Sequence, residues 1–162
     1  MNKRDNIFAF YNFYDIIQKI KWGIIMASIR WSDLNKYSLI LVEFGNNKDS
    51  INCDDENSYA YGINLGCEFC YKHMAIVVGK EVKADEILVV PLTSYKQGDE
   101  HYPTNIIIDT NLYGHMVQHK TTIKINHLRS IDKKKRVKKI IKTYISKTLQ
   151  FEIEEKMRKF IG

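Results

Sequence analysis

The sequence predicts an α+β fold in which a helical front precedes a body of short strands, closed by one or two further helices. Three observations carry this. Apolar residues recur every three or four positions near the start, at Ile7, Phe10, Tyr14, Ile17, Ile20 and Ile24, which lines one face of a helix. Short β-branched or aromatic runs follow at intervals of about ten residues, a spacing that favours a small barrel or sandwich. After Asp132 the apolar spacing returns to three and four.

With 162 residues, 44% hydrophobic and 27% charged, the chain suits one domain with a helical appendage and can bury a core. Eight glycines and two prolines exclude a fibrous or linker-rich protein. The early apolar stretch "WGIIMASI" is too short to span a bilayer, and "IFAFYNFYDIIQKI" is broken by Asn12, Asp15 and Gln18. No membrane anchor or signal peptide is therefore expected. Three cysteines, an odd number, point to reduced thiols in a cytoplasm rather than a disulfide framework. The net charge of +6 admits a polyanionic partner without requiring one.

The helix expected over residues 5–31 reads as a docking helix. Ser32 and Asp33 then look like a cap starting a second element. "YSLILVEF" can run as helix or strand, and helix is the reading favoured here, which makes residues 1–45 a helical extension. Residues 45–58, "GNNKDSINCDDENS", are dense in turn formers and read as an exposed loop. The body, residues 46–162, brings the strand candidates "YAYGIN", "MAIVVG", "EILVVPL", "NIIID" and "TTIKINHL". Asp132 is a good N-cap, and Val137, Ile140, Ile141, Tyr144, Ile145, Leu149 and Ile153 continue at helical spacing.

Cys53, Cys67, Cys70 and His73 together supply a Cys3His set of zinc ligands. Only half of the usual pattern is present, one C-x2-C pair with no second pair at conventional spacing, so small apolar fillers are the favoured reading of the cysteines. His73 lies where a loop enters an apolar run, a position held by a rigid sheet yet open to solvent. Thr93 and Ser94 end a second apolar run, where hydroxyls commonly serve turns. His127 and Arg129 precede seven basic residues between Lys133 and Lys142. A solvated helix accounts for most of that charge, but Arg129 lies on the strand side of the boundary, where a guanidinium can clamp a phosphate. His101, His115 and His119 fall in loops. The last two are four apart, but Gly114 argues against a helix presenting both as ligands.

Three of these segments, in order, resemble the PemK/MazF family of toxin ribonucleases. "GINLGCEFCYKHMAIVV" is similar to that family's first motif, with Gly66 and Glu68 matching its G-x-E and "AIVV" its strand. "VVPLTS" resembles the second motif, an apolar strand ending in Thr-Ser. "HLRSIDKKK" looks like the third, the most specific of the three, and coverage runs from about residue 59 to 138. One departure stands out: His73 falls where the family has its catalytic arginine, and Met74 where it has the following proline. A histidine titrates near neutrality and can act as acid or base, which a permanently protonated arginine does poorly.

The resemblance implies a small SH3-like β-barrel with C-terminal helices, a homodimer, and a toxin held inactive by a partner antitoxin. It implies attack of a ribose 2′-OH on the adjacent phosphate of single-stranded RNA, typically mRNA, leaving 2′,3′-cyclic phosphate and 5′-OH ends, with no metal or other cofactor. His73 would then do acid or base work and Thr93 hold the scissile phosphate. Lys72 and Arg129 would supply positive charge with Ser94 in support, and bases would stack on Tyr71, Tyr95 or Tyr102. Two other classes stay open: a relative on the same barrel that acts by binding, to DNA gyrase or to RNA, and a zinc-stabilised binding protein.

Overall fold

The computed structural model describes residues 29–48, 61–65, 68–81 and 83–162. The helix expected over 5–31 and most of the loop expected over 45–58 lie outside the described residues, as do Cys53, Gly66 and Cys67. The chain divides into two compact units, residues 1–31 and 32–162, and the second is an α+β fold.

Its strands are β1 (Leu39–Glu43), β2 (Asn46–Asn47), β3 (Ile63–Asn64), β4 (Lys72–Lys80), β5 (Glu86–Ser94), β6 (Asn105–Ile108), β7 (Thr121–Lys124), β8 (Arg129–Asp132) and β9 (Val137–Ile141). Its helices are α1 (Thr110–Tyr113), α2 (Lys133–Arg136) and α3 (Lys147–Ile161). Seven strands form one antiparallel sheet in the order β6-β7-β5-β4-β1-β9, with β8 also on β5, while β2 and β3 make a short parallel pair. Among the described residues this path is open, with β6 and β9 at its ends. No helix among the described residues is long and apolar enough to cross a membrane.

The central strands are apolar on both faces. Leu39, Ile76, Val78, Val90, Leu92, Ile106 and Ile123 form one buried cluster with Leu149 and Ile153 of α3. The alternate positions Ile40, Val42, Ala75, Val77 and Val89 are equally buried. "LILV", "AIVV" and "ILVV" therefore read as continuous apolar runs instead of alternating ones.

The sheet corrects two expectations. "YSLILVEF" is a strand, not a helix: β1 lies between β4 and β9, with Ile40 opposite both Ala75 and Ile140. The extension expected to end at residue 45 thus gives up residues 39–43 to the sheet, and the compact body begins at residue 32. The helical spacing read from Asp132 onward is likewise interrupted. The Asp132 side chain does accept from the Lys135 amide at 3.0 Å and caps α2, but the helix ends after one turn. Val137, Ile140 and Ile141 then pair with β1, because β-branched side chains beside an open strand edge bury more as a strand than on a solvated helix. Helix resumes only at α3, where the Ser146 hydroxyl accepts from the Leu149 amide.

β5 is the pivot of the sheet. One edge pairs with β4 over Ile87–Pro91, while the other pairs with β8 over Glu86–Val89 and with β7 over Leu92–Ser94. Pro91 sits at the changeover, opposite Ala75 of β4, between the residues that pair with β8 and those that pair with β7 on the second edge. A residue without an N–H is tolerated there, in an otherwise central strand.

Candidate active site

Extending the register Ala75↔Pro91 by two residues sets His73 opposite Thr93. The adjoining ends of β4 and β5 open into a cleft of about 240 Å³, lined by Lys72, His73 and Met74 from one strand and Leu92, Thr93 and Ser94 from the other. Leu41, His119 and Thr121 complete the lining, and no carboxylate is among these residues. Lys72, His73, Thr93 and Ser94, far apart in the chain, thus share one cleft, because an antiparallel pair brings the start of one strand to the end of the next.

Backbone geometry fixes the entry to β4. Tyr71 has φ 64°, a left-handed conformation uncommon for a side chain of its size. It is held there by two hydrogen bonds: its amide donates to the Gly45 carbonyl, and its carbonyl accepts from the Phe44 amide. Gly45 itself has φ 102°, and a Cβ there would stand 2.7 Å from the carbonyl oxygens of Tyr61 and Gly62, so only glycine fits. The loop before His73 is therefore pinned from both sides.

His73 is half-buried. Its Nδ1 lies 3.3 Å from the Leu92 carbonyl oxygen, which can only accept, so Nδ1 carries the proton and Nε2 holds the lone pair of the neutral ring. The edge contacts of its ring are aromatic, with Phe69 at 4.9 Å and Phe44 at 6.3 Å between centroids. On the far wall, Ser94 Oγ and His119 Nε2 are 2.9 Å apart. Thr121 Oγ1 donates to the His119 carbonyl at 2.8 Å, and Ser94 is the register partner of Thr121.

The remaining predicted residues lie around this cleft rather than in it. Arg129 opens β8; its Nη1 donates to Asn64 Oδ1 at 3.3 Å and its guanidinium lies 5.6 Å from the centre of the Phe44 ring. It thus shares Phe44 with His73 but does not line the cleft. Tyr71 is exposed immediately before β4. Tyr95 follows Ser94, donates its hydroxyl to Glu100 at 2.7 Å and has the Lys120 ammonium 3.9 Å over its ring, so one face is already covered. Tyr102 is exposed, with the Lys124 ammonium 5.6 Å from its ring centre. Cys70 donates its thiol to the Glu68 carbonyl, and burial pushes that thiol up, with the Glu68 carboxylate adding to the rise.

Two features escaped the sequence. From the sequence His119 is only a loop residue, since its contact with Ser94 spans 25 positions and leaves no local pattern. His127 also packs against Phe69, edge-on, at a centroid distance of 4.8 Å. Burial, then the Lys124 charge, pushes its imidazole down and favours the neutral ring.

Comparison with known proteins speaks to the fold and the family. No curated protein matches the sequence. Among solved structures, the chain is similar to an endoribonuclease in complex with its cognate antitoxin from a mycobacterial species, at 9% identity and a TM-score of 0.52, covering 80% of this chain and 95% of that one. It is also similar to MazF from Deinococcus radiodurans, at 17% identity and a TM-score of 0.50, covering 78% and 94%. At these identities the likeness is one of fold. The model of the PemK-like, MazF-like toxins of type II toxin-antitoxin systems matches residues 61–161, well over half of the chain, and the protein belongs to that family.

Proposed function

We propose that this chain is the toxin of a toxin-antitoxin pair, a cytoplasmic endoribonuclease that cuts single-stranded RNA without a metal ion and leaves 2′,3′-cyclic phosphate and 5′-OH ends. One observation carries the reading: the cleft gathers Lys72, His73, Thr93 and Ser94 at adjoining strand ends, within the span that the family model matches. Such a set suits a phosphodiester, whose cleavage needs proton transfer and stabilisation of charge on the phosphorane oxygens.

In this reading His73 Nε2 exchanges the reacting proton, a role worth about 10²- to 10⁴-fold in rate. The Thr93 hydroxyl holds the scissile phosphate, Lys72 faces its charge and Ser94 supports the wall. Arg129, outside the cleft, attracts the flanking backbone, and Tyr71 and Tyr95 offer ring faces to unstacked bases. Two copies of the chain form a homodimer in this reading. An antitoxin partner accords with the mycobacterial neighbour, which was solved bound to one.

Incubating the purified protein with a long single-stranded RNA in EDTA, and identifying the new ends chemically, tests the proposal. Discrete cuts with 5′-OH ends are expected. Intact RNA at high protein concentration would refute it and leave a relative that acts by binding, with DNA gyrase the next target.

A further inference from the structure

Cleavage by 2′-OH attack needs two proton transfers, one from O2′ to a base and one from an acid to the departing O5′. The residues assigned so far include a single group suited to this, His73. We propose that His119 is the second: in the cleft of this chain His73 serves as the base and His119 as the acid. This rests on the ribonuclease reading above and assigns its proton-transfer step.

Both histidines line the same cleft, one from β4 and one from the loop before β7, with Thr93 and Ser94 of β5 between them in the fold. Their hydrogen bonds divide the roles. The Leu92 carbonyl holds the proton on His73 Nδ1, so Nε2 presents a lone pair, the requirement of a base. His119 is exposed, and its Nε2 is held by Ser94 Oγ at 2.9 Å. Its carbonyl takes the Thr121 hydroxyl, so the ring is anchored to two strand ends while Nδ1 stays available to carry a proton to substrate. The other ionisable groups lining the cleft, Lys72 and His73, are both basic, so no described lining carboxylate competes for the proton that His119 donates.

The step balances as follows. The O2′ lone pair forms the O2′–P bond as His73 Nε2 takes the O2′ proton. The P–O5′ bond breaks as O5′ takes a proton from imidazolium His119, leaving a cyclic phosphate and a 5′-OH. The two histidines end with exchanged protonation states, and water resets them.

The test compares an RNA strand that the wild-type protein cuts with the same strand carrying a bridging 5′-sulfur at the cut site, where the thiolate departs without protonation. His119→Ala is expected to fall about 10²- to 10⁴-fold on RNA yet stay within about tenfold of wild type on the sulfur strand, while His73→Ala falls on both. His119→Gln keeps a polar group for Ser94 but cannot transfer a proton, and is expected to behave as His119→Ala does. A His119→Ala rate on RNA within about threefold of wild type, an equal loss on both strands, recovery in His119→Gln, or the reverse pattern between the two histidines would each overturn the assignment while leaving the ribonuclease reading in place. A wild-type protein inert on both strands would instead overturn that reading and the assignment with it.

Discussion

Acid should unfasten the far wall of the cleft through Asp99. This carboxylate lies in a 3-10 turn five residues after Ser94, with its side chain only 8% exposed. It accepts from the Lys124 ammonium at 2.6 Å, the Thr122 hydroxyl at 2.7 Å and the Lys96 amide at 2.9 Å. Thr122 and Lys124 belong to β7, so these bonds hold β7 to the turn that follows β5, the strand carrying Thr93 and Ser94. Burial pushes the Asp99 carboxyl up, but Lys124, Lys96 and Thr122 together outweigh it and hold the group at about 2, against an ordinary 3.8. Because the folded value is the depressed one, its stabilisation is fully present above pH 3.8 and is lost as pH falls toward 2. A difference of nearly two units at 1.36 kcal/mol each gives at most about 2 kcal/mol.

Asp99→Asn should remove that pH-dependent share and leave Lys124, 17% exposed, without its counter-charge, a loss of about 3 kcal/mol at neutral pH. Denaturant unfolding of the wild type and Asp99→Asn at pH 5 and pH 2 measures it: the gap should narrow by about 2 kcal/mol at the lower pH. A gap unchanged between the two would refute the network as the source of the acid sensitivity. Adding Lys124→Met to Asp99→Asn should recover part of the loss at pH 7, because a missing pair costs less than a lone buried charge.

Three further outcomes follow from the site. His73→Ala and Thr93→Ala should each abolish RNA cleavage in a protein whose thermal unfolding is unchanged, whereas Cys67→Ser should do little; full activity in His73→Ala would reject the placement of the site. Gly45→Ala should cost about 2 kcal/mol or more, since it combines a left-handed backbone with a clash against two carbonyl oxygens, and it should lower activity beyond the stability loss because Gly45 pins Tyr71 ahead of His73. Metal analysis of the purified protein should find less than about a tenth of an equivalent of zinc; one equivalent, lost on Cys67→Ser together with the fold, would restore the zinc-stabilised reading.

The strands from β4 to β7 were legible because their β-branched runs are short and bounded by turn formers, and the cap at Asp132 because its geometry is local. The helix read into residues 37–44 and continued through Val137–Ile141 failed because these two segments are each other's partners: β1 is buried on both faces and carries no alternation to mark it as strand, and β9 is a strand only because that edge of β1 is there to pair with. The site divides the same way. His73, Thr93, Ser94 and Arg129 could be named from motifs, since motif residues keep fixed spacing within a strand and its end.

By itself, then, the sequence determined an α+β body, the strand ends on which His73, Thr93 and Ser94 lie, and a resemblance to one family. Only the tertiary structure decided that Lys72, His73, Thr93 and Ser94 face one cleft while Arg129 stands outside it. It alone also brought His119 to Ser94 and set His73 Nδ1 against the Leu92 carbonyl. The physical reason is that strand pairing is long-range. Propensity and periodicity act over a few residues, whereas a cross-strand neighbour is chosen by register and by which sheet edge is left open.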